Sequence, residues 1–284
     1  MKQAILVVAF GSTVDSAREH QIDAVVNRIK EKYTDYEVRL AFSSRIIVKR
    51  LRDRGIEIPT EQGALDALIG EGYTDIYVQP LHFTGGEEFD KLKHNILNHE
   101  RAHELNTLRV GRPLVYYMGQ EEHPNDYQIL IDTFVTSISV SNEDGLLLVG
   151  HGGLGSGNSA YGYLQYQLIR SGLNHVRVAT LENAPYVADI AVPWEWLDGK
   201  KPNKIYVHPL LLVLGDHALN DLFGDEEDSV VNVLKEAGYE VEEMHHALGE
   251  YTEIQDIYCQ HIQDCIDDIY GKRSSHRPAI PNVK

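Results

Sequence analysis

Short apolar runs rich in valine, isoleucine and leucine alternate with amphipathic stretches along the whole chain. Residues 4–9 (AILVVA) read as a strand buried on both faces. Residues 16–32 read as a helix with Ala17, Ile22, Val25, Val26 and Ile29 on one apolar stripe. Residues 37–42 predict a second strand, 45–54 and 60–71 two helices, and 75–81 (DIYVQPL) a third strand; Gly72 lies just past the second helix. Uninterrupted apolar strands separated by helices are the pattern of a parallel sheet covered on both faces.

The pattern then starts again. AILVVAFGSTVDSA near the N-terminus matches LLLVGHGGLGSGNSA from Leu146, and VRLAFSSR from Val38 matches VRVATLEN from Val176. DIYVQPLHFTGGEE from Asp75 matches KIYVHPLLLVLGDH from Lys204. Three blocks in one order predict an α/β protein of two similar lobes, each a mostly parallel sheet flanked by helices, facing across a cleft. The polar segment GQEEHPN at 119–125 marks the join, giving an N-terminal lobe over 1–124 and a C-terminal lobe over 125–271 that carries the candidate metal ligands. The last helix, 252–270, is expected to pack back across the first lobe, and the Pro/Ser/basic tail, 272–284, to be mobile.

Composition narrows the function classes. A chain of 284 residues that is 43% hydrophobic and 24% charged is ordinary for a globular protein with a real core. No apolar run approaches the roughly 18 residues needed to cross a bilayer, so no membrane role is expected. The apolar start, MKQAILVVAFGST, runs straight into a glycine turn and a charged helix, which reads as the first strand of a cytoplasmic protein rather than a secretion signal. Cys259 and Cys265 lie on one expected helix and fit neither a redox pair nor a zinc knuckle, so they read as packing residues in a reducing compartment. A net charge of −17 argues against nucleic acid, whose binding rests on Lys and Arg neutralising phosphates. A small anionic ligand would instead need a local basic patch.

In open parallel sheets ligands sit outside the carboxyl ends of the strands, so the turns at 10–13, 42–45, 81–88, 151–157, 181–185 and 210–217 are expected to face one cleft. His151 follows the strand at 146–149 and opens the glycine-rich turn GHGGLGSG, where Gly152 and Gly153 leave room for a bulky ligand. Glu182 ends the strand at 176–181, and His217 follows the run at 205–212. These three occupy corresponding strand ends of the second lobe, and two imidazoles with a carboxylate suit Co2+, Ni2+, Fe2+ or Zn2+ with positions left open. His208, inside its strand, reads as a core or supporting histidine. Glu87 and Glu88 open the helix after Gly85-Gly86, where the helix dipole alone favours carboxylates; Glu88 is the candidate proton acceptor, and His82 could line the same turn. Arg45, Lys49 and Arg52 share one helix face beginning at the rim, the densest basic cluster in an acidic chain and suited to a polycarboxylate. No Walker motif is present, so no nucleotide is expected.

Several of these segments together resemble the class II chelatases, and in particular the anaerobic sirohydrochlorin cobaltochelatases: ILVVAFGST with SSRII, QPLHFTGGEEFDKLK, LLLVGHGG, TLEN and HPLLLVLGDHALNDL, in the family's order and spanning nearly the whole chain. The resemblance implies ATP-independent insertion of Co2+, as substrate metal, into sirohydrochlorin or precorrin-2 for cobalamin formation. It implies that His151, Glu182 and His217 bind the incoming metal, with Glu88 near the tetrapyrrole and His151 also serving in catalysis. Substrate contacts are then expected from Phe10, Ser12, Arg45, His82, Gly152 and Gly153, with Tyr161 or Tyr163 as further packing walls. Insertion of Ni2+ or Fe2+, a non-catalytic haem or metal carrier, and a metal-assisted hydrolase are the rivals. The pattern leaves a homo-oligomer open.

Overall fold

The computed structural model describes residues 2–191 and 201–270; the expected tail at 272–284 lies outside them. The first half runs β1 (Gln3–Ala9), α1 (Asp15–Ala17), α2 (Asp23–Lys32), β2 (Glu37–Phe42), α3 (Arg45–Asp53), α4 (Glu61–Gly70), β3 (Asp75–Pro80), α5 (Glu87–Leu97), β4 (Thr107–Val110) and α6 (Asp126–Thr133). The second runs β5 (Gly145–Gly150), α7 (Ser159–Arg170), β6 (Val176–Thr180), α8 (Val187–Ala191), β7 (Lys204–Pro209), α9 (Asp216–Phe223), α10 (Val230–Glu236), β8 (Glu240–Glu243) and α11 (Thr252–Ile266). The strands form two four-stranded sheets, β2-β1-β3-β4 and β6-β5-β7-β8, with every neighbouring pair parallel. The duplication seen as matching sequence blocks is thus one topology used twice.

The apolar strands are buried on both faces because each face meets a different layer. On β1, Ile5, Val7 and Ala9 join the large central core, while Ala4, Leu6 and Val8 join a second cluster with Leu65, Leu68, Phe89 and Leu92 from α4 and α5. On β5, Leu146 and Leu148 turn toward the same central core, and Leu147 and Val149 toward an outer cluster with Leu222 and Leu234 from α9 and α10. The two sheets therefore share one inner layer, which holds α2, α6, α7 and α11. The stripe expected on the first long helix lies in it, since Ile22, Val25, Val26 and Ile29 are all buried there.

The last helices of the two halves are exchanged. Helix α11 packs on β3, β4 and α2 of the first half, as expected from the sequence. Its Tyr258 hydroxyl donates to the Leu81 and His82 carbonyls (3.2 and 3.3 Å), and the Tyr33 hydroxyl donates to the Cys259 carbonyl at 2.6 Å. Helix α6 goes the other way: Phe134 just beyond it packs edge-on to His208 of β7 and to Tyr251. Arg112 clamps both helices, contacting Asp126 of α6 at 3.1 Å and Asp264 of α11 at 2.7 Å, with all three side chains buried.

Boundaries differ by more than one residue from the sequence expectation in three places. Helix α11 stops at Ile266, and β7 at Pro209 rather than 212. The helix expected over 16–32 is interrupted by a π-helical turn, Arg18–Ile22. That turn carries buried Gln21, which accepts from Leu214 N–H (2.8 Å) and donates to Glu250 (2.8 Å), tying the first half to the loop after β7. No helix among the described residues is long and apolar enough to cross a membrane.

Candidate functional site

The carboxyl ends of β1, β3, β5 and β7 bring four loops together at the junction of the halves. The Gly85-Gly86 turn after β3 meets the glycine loop after β5 so closely that a Cβ on Gly157 would stand 2.4 Å from the Gly86 Cα. Phe83 from the first loop stacks on Tyr161 under the second, with centroids 5.5 Å apart. The loop after β1 meets the loop after β7 where Ser12 Oγ lies 4.0 Å from a Cβ built on Gly215.

His151 and Glu182 leave adjacent parallel strands, and the ladder continues just past the strand ends to hold them. Leu181 N–H donates to the Gly150 carbonyl and Glu182 N–H to the His151 carbonyl, each at 3.0 Å. The side chains consequently face each other, His151 Nδ1 standing 3.6 Å from Glu182 Oε2, both 59% exposed. That separation is too long for a hydrogen bond but suits two donors turned toward one point in solvent. Gly152 lets the chain turn away at once: its φ is +86°, and a Cβ there would lie 3.1 Å from Asn183 N. Gly153 has open space where a side chain would be.

Two bonds from Asn158 brace this pair of loops. Its Oδ1 accepts from Gly153 N–H at 3.2 Å, and its Nδ2 donates to the Ala184 carbonyl at 2.6 Å. Sequence reasoning missed Asn158, because an asparagine just before a helix reads as an ordinary cap. It also missed Gln21, whose polar side chain sits on an apolar stripe and was the available signal.

His217 lies exposed in the first turn of α9, at the third strand end. Among the described residues, however, His, Cys, Asp and Glu side chains form no group of three or more that could hold a metal ion. The structure brings His151 and Glu182 together and leaves His217 outside their group, unlike the convergence expected of the three. The backbone ladder reaches the loop after β7 only at Leu210, whose N–H donates to the Val149 carbonyl at 2.7 Å; further along, Leu214 N–H is held by Gln21, and His217 lies beyond both bonds.

The remaining expected residues divide by burial. Phe10 is half-exposed at the end of β1, and Arg45, Lys49 and Arg52 are exposed along α3 with no carboxylate partner among the described residues. Arg45 approaches only Gln62, at 3.5 Å. Glu87 and Glu88 are exposed in the first turn of α5. Ser12 is buried, and its hydroxyl accepts from Val14 N–H at 3.1 Å, so it shapes the turn after β1. Tyr161 is not an open wall: it is buried against Gly150, and burial pushes its phenol up to about 12, opposed by the backbone of Gly152 and His151. Tyr163 is also occupied, donating to the Met118 carbonyl and accepting from Gln167.

Two histidines behind the rim are neutral. Burial pulls His208 down to about 4; its Nδ1 lies 2.8 Å from the Pro209 carbonyl and Nε2 2.8 Å from the Tyr251 hydroxyl, so Nδ1 donates and Nε2 accepts. Burial also pulls His82 down to about 4, and neither of its ring nitrogens has a hydrogen-bond partner among the described residues. A pocket of about 500 Å3 opens beside the site, lined by Asn158, Ala184, Pro185 and Asp189 among others; none of His151, His217 or Glu88 lines it.

Known proteins supply the context. The model of the cobalt chelatase (CbiK) family matches residues 3–267. A sirohydrochlorin cobaltochelatase of Salmonella typhimurium is 30% identical over 270 residues, covering 94% of this chain and 97% of the relative. The sirohydrochlorin cobaltochelatase CbiKC of Nitratidesulfovibrio vulgaris is 26% identical, covering 92% and 89%. Among solved structures, SirB from Bacillus subtilis with Fe3+ superposes with a TM-score of 0.66 at 18% identity, covering 96% of this chain and 98% of that one. CbiX, described as the terminal enzyme of sirohaem biosynthesis in denitrifying bacteria, gives 0.51 at 17% identity, covering 92% and 98%; at such identities these two likenesses speak to the fold. With matching blocks, a doubled topology and a family match over nearly its whole length, the chain belongs to the cobalt chelatase (CbiK) family.

Proposed function

We propose that this chain inserts Co2+ into sirohydrochlorin, or the related precorrin-2, without ATP, as the curated relatives' names indicate for sirohydrochlorin. The observation that carries the site assignment is the His151–Glu182 pair, held face to face at 3.6 Å on adjacent strand ends within a chain of this family. The reaction exchanges one divalent cation for two pyrrole N–H protons, so the site needs donors that hold and release the metal and a group that takes protons. His151 and Glu182 hold the incoming Co2+, and His217 swings in from the loop after β7 to complete two imidazoles and one carboxylate. Imidazole and carboxylate ligands bind first-row divalent ions without enclosing them, which leaves positions for the ring nitrogens. His151 and Glu88 take up the released protons.

Phe10, at a strand end on the rim, offers an apolar face for the macrocycle, and Gly152 and Gly153 let it approach the backbone. Arg45 meets a peripheral carboxylate, while Ser12 keeps the turn after β1 in shape. His82 borders the same face. An unpartnered buried polar group costs about 1–3 kcal/mol, and a ligand in the cleft would give the imidazole a partner. The metal donors come from the second half, and the first half packs on the ring. The two buried free thiols, Cys259 and Cys265, agree with a reducing cytoplasm.

The test is anaerobic mixing of the purified protein with sirohydrochlorin and Co2+, Ni2+ or Fe2+, followed by absorbance. Metallation is expected to be fastest with Co2+, and H151A and H217A are expected to lose at least about 100-fold in rate while unfolding at the wild-type temperature. Wild-type turnover by both variants would remove the metal-delivery role.

A further inference from the structure

We propose that Asn158 is a positioning residue that sets the separation of His151 and Glu182. This proposal rests on the reading of that pair as the metal-holding donors. Asn158 occupies the N-cap position of α7, where an asparagine side chain ordinarily accepts from a backbone N–H one turn on, yet it makes no such bond. Its amide instead spans two loops, accepting from Gly153 N–H at 3.2 Å and donating to the Ala184 carbonyl at 2.6 Å.

Both contacts lie two residues from a proposed metal donor, Gly153 from His151 and Ala184 from Glu182. Upstream, the loops are already joined by the backbone ladder that ends with Glu182 N–H on the His151 carbonyl. Beyond that bond the chains diverge, one through Gly152 at positive φ, the other through Asn183 toward Pro185. The amide recloses the gap on the far side, so each donor residue sits between a backbone bond and a side-chain bond. A carboxamide suits the position because it presents a donor and an acceptor on one planar group, whereas a carboxylate can only accept. Glu182 and His151 are largely exposed and hold no hydrogen bond to one another, so their spacing depends on the loops beneath.

Supporting groups of this kind typically change metal affinity by about 10–100-fold. The experiment is titration of the protein with Co2+ alone, read from the cobalt ligand-field absorbance, on wild type, Asn158→Ala, Asn158→Asp and His151→Ala. Asn158→Asp is nearly isosteric, keeps the acceptor for Gly153 and loses the donor to Ala184. Both Asn158 variants are expected to bind Co2+ about 10-fold more weakly, with an altered absorbance envelope and a lowered kcat. Their KM for the tetrapyrrole is expected to stay within about twofold of wild type, since the residue is argued to act on the metal donors. Wild-type Co2+ affinity and spectrum in Asn158→Asp, with binding lost in His151→Ala, would overturn the positioning role and leave the metal reading standing. Unchanged affinity in His151→Ala as well would overturn both.

Discussion

At the scale of single residues, the glycines of the loop after β5 show how one sequence feature hides several physical demands. Read from the chain, the run GHGGLGSG simply leaves room for a bulky ligand. In the structure only Gly153 and Gly155 stand in open space; Gly150 makes way for Tyr161, Gly152 turns the chain, and Gly157 lets the Gly86 backbone approach. The last of these can be tested by an asymmetry. A Cβ on Gly157 would lie 2.4 Å from the Gly86 Cα, whereas a Cβ on Gly86 would meet the Gly157 Cα at 3.4 Å. Gly157→Ala should therefore cost about 1–3 kcal/mol of stability by overpacking, and Gly86→Ala less than about 1. Equal melting temperatures for the two variants would contradict the contact. Substrate charge gives a second test: Arg45 has no carboxylate partner among the described residues, so Arg45→Ala should raise KM for the tetrapyrrole several-fold with kcat nearly unchanged. A KM equal to wild type would take Arg45 out of the binding face.

At the scale of elements, the strands with buried faces were legible because burial on both sides leaves a continuous apolar run. The outer strands β4 and β8 were not. EVEE of β8 has exposed and half-buried positions and reads as polar surface, yet it pairs with β7 along one side. The exchange of α6 was equally hidden, since its partners lie far along the chain. Arg112 is the residue that locks it. Its guanidinium joins Asp126 and Asp264, 14 and 152 residues away, and stacks over Tyr117 and Tyr270. Asp126 is held as an acceptor by Tyr116 and Tyr117 N–H as well, although burial, the larger influence, raises its pKa despite Arg112. Removing the cation leaves two buried carboxylates uncompensated, which in buried ion networks costs about 3–5 kcal/mol. Arg112→Ala is expected to lose that much in urea unfolding. A loss below about 1 kcal/mol would mean that the exchanged helices are held by apolar packing alone.

At the scale of the whole molecule, the shared inner core makes the two halves one folding unit, and the same core exposes that unit to acid. His208 and His82 are each held near 4 by burial, and His261 is pulled well below its ordinary value by burial, with Arg112 adding to the effect. His208 joins β7 to Tyr251, His82 lies under the rim of β3, and His261 sits on α11, so the three report on elements from both halves. Each group binds a proton more readily in the unfolded chain, near 6.5, than in the folded one. The unfolded state therefore gains protons first as pH falls. Stability is full above about pH 6.5 and declines toward pH 4, the opposite of a histidine stabilised by a carboxylate. A displacement from 6.5 to about 4 corresponds to about 3 kcal/mol for His208 and about as much for His82, a large share of the 5–15 kcal/mol typical of a domain. Carboxylates at their reference values near 4 contribute little above pH 5, and Asp126, raised by burial, acts in the opposite sense to the histidines. The melting temperature should consequently fall between pH 7 and pH 4.5 in one cooperative transition. His82→Leu is the informative variant: its ring nitrogens have no partners among the described residues to lose, so the substitution removes the titration and none of the hydrogen bonds seen there. It should melt above wild type at pH 4.5, with the gap narrowing toward pH 7. A gap that does not change with pH would show that the His82 imidazole takes up its proton as easily in the folded protein as in the unfolded chain.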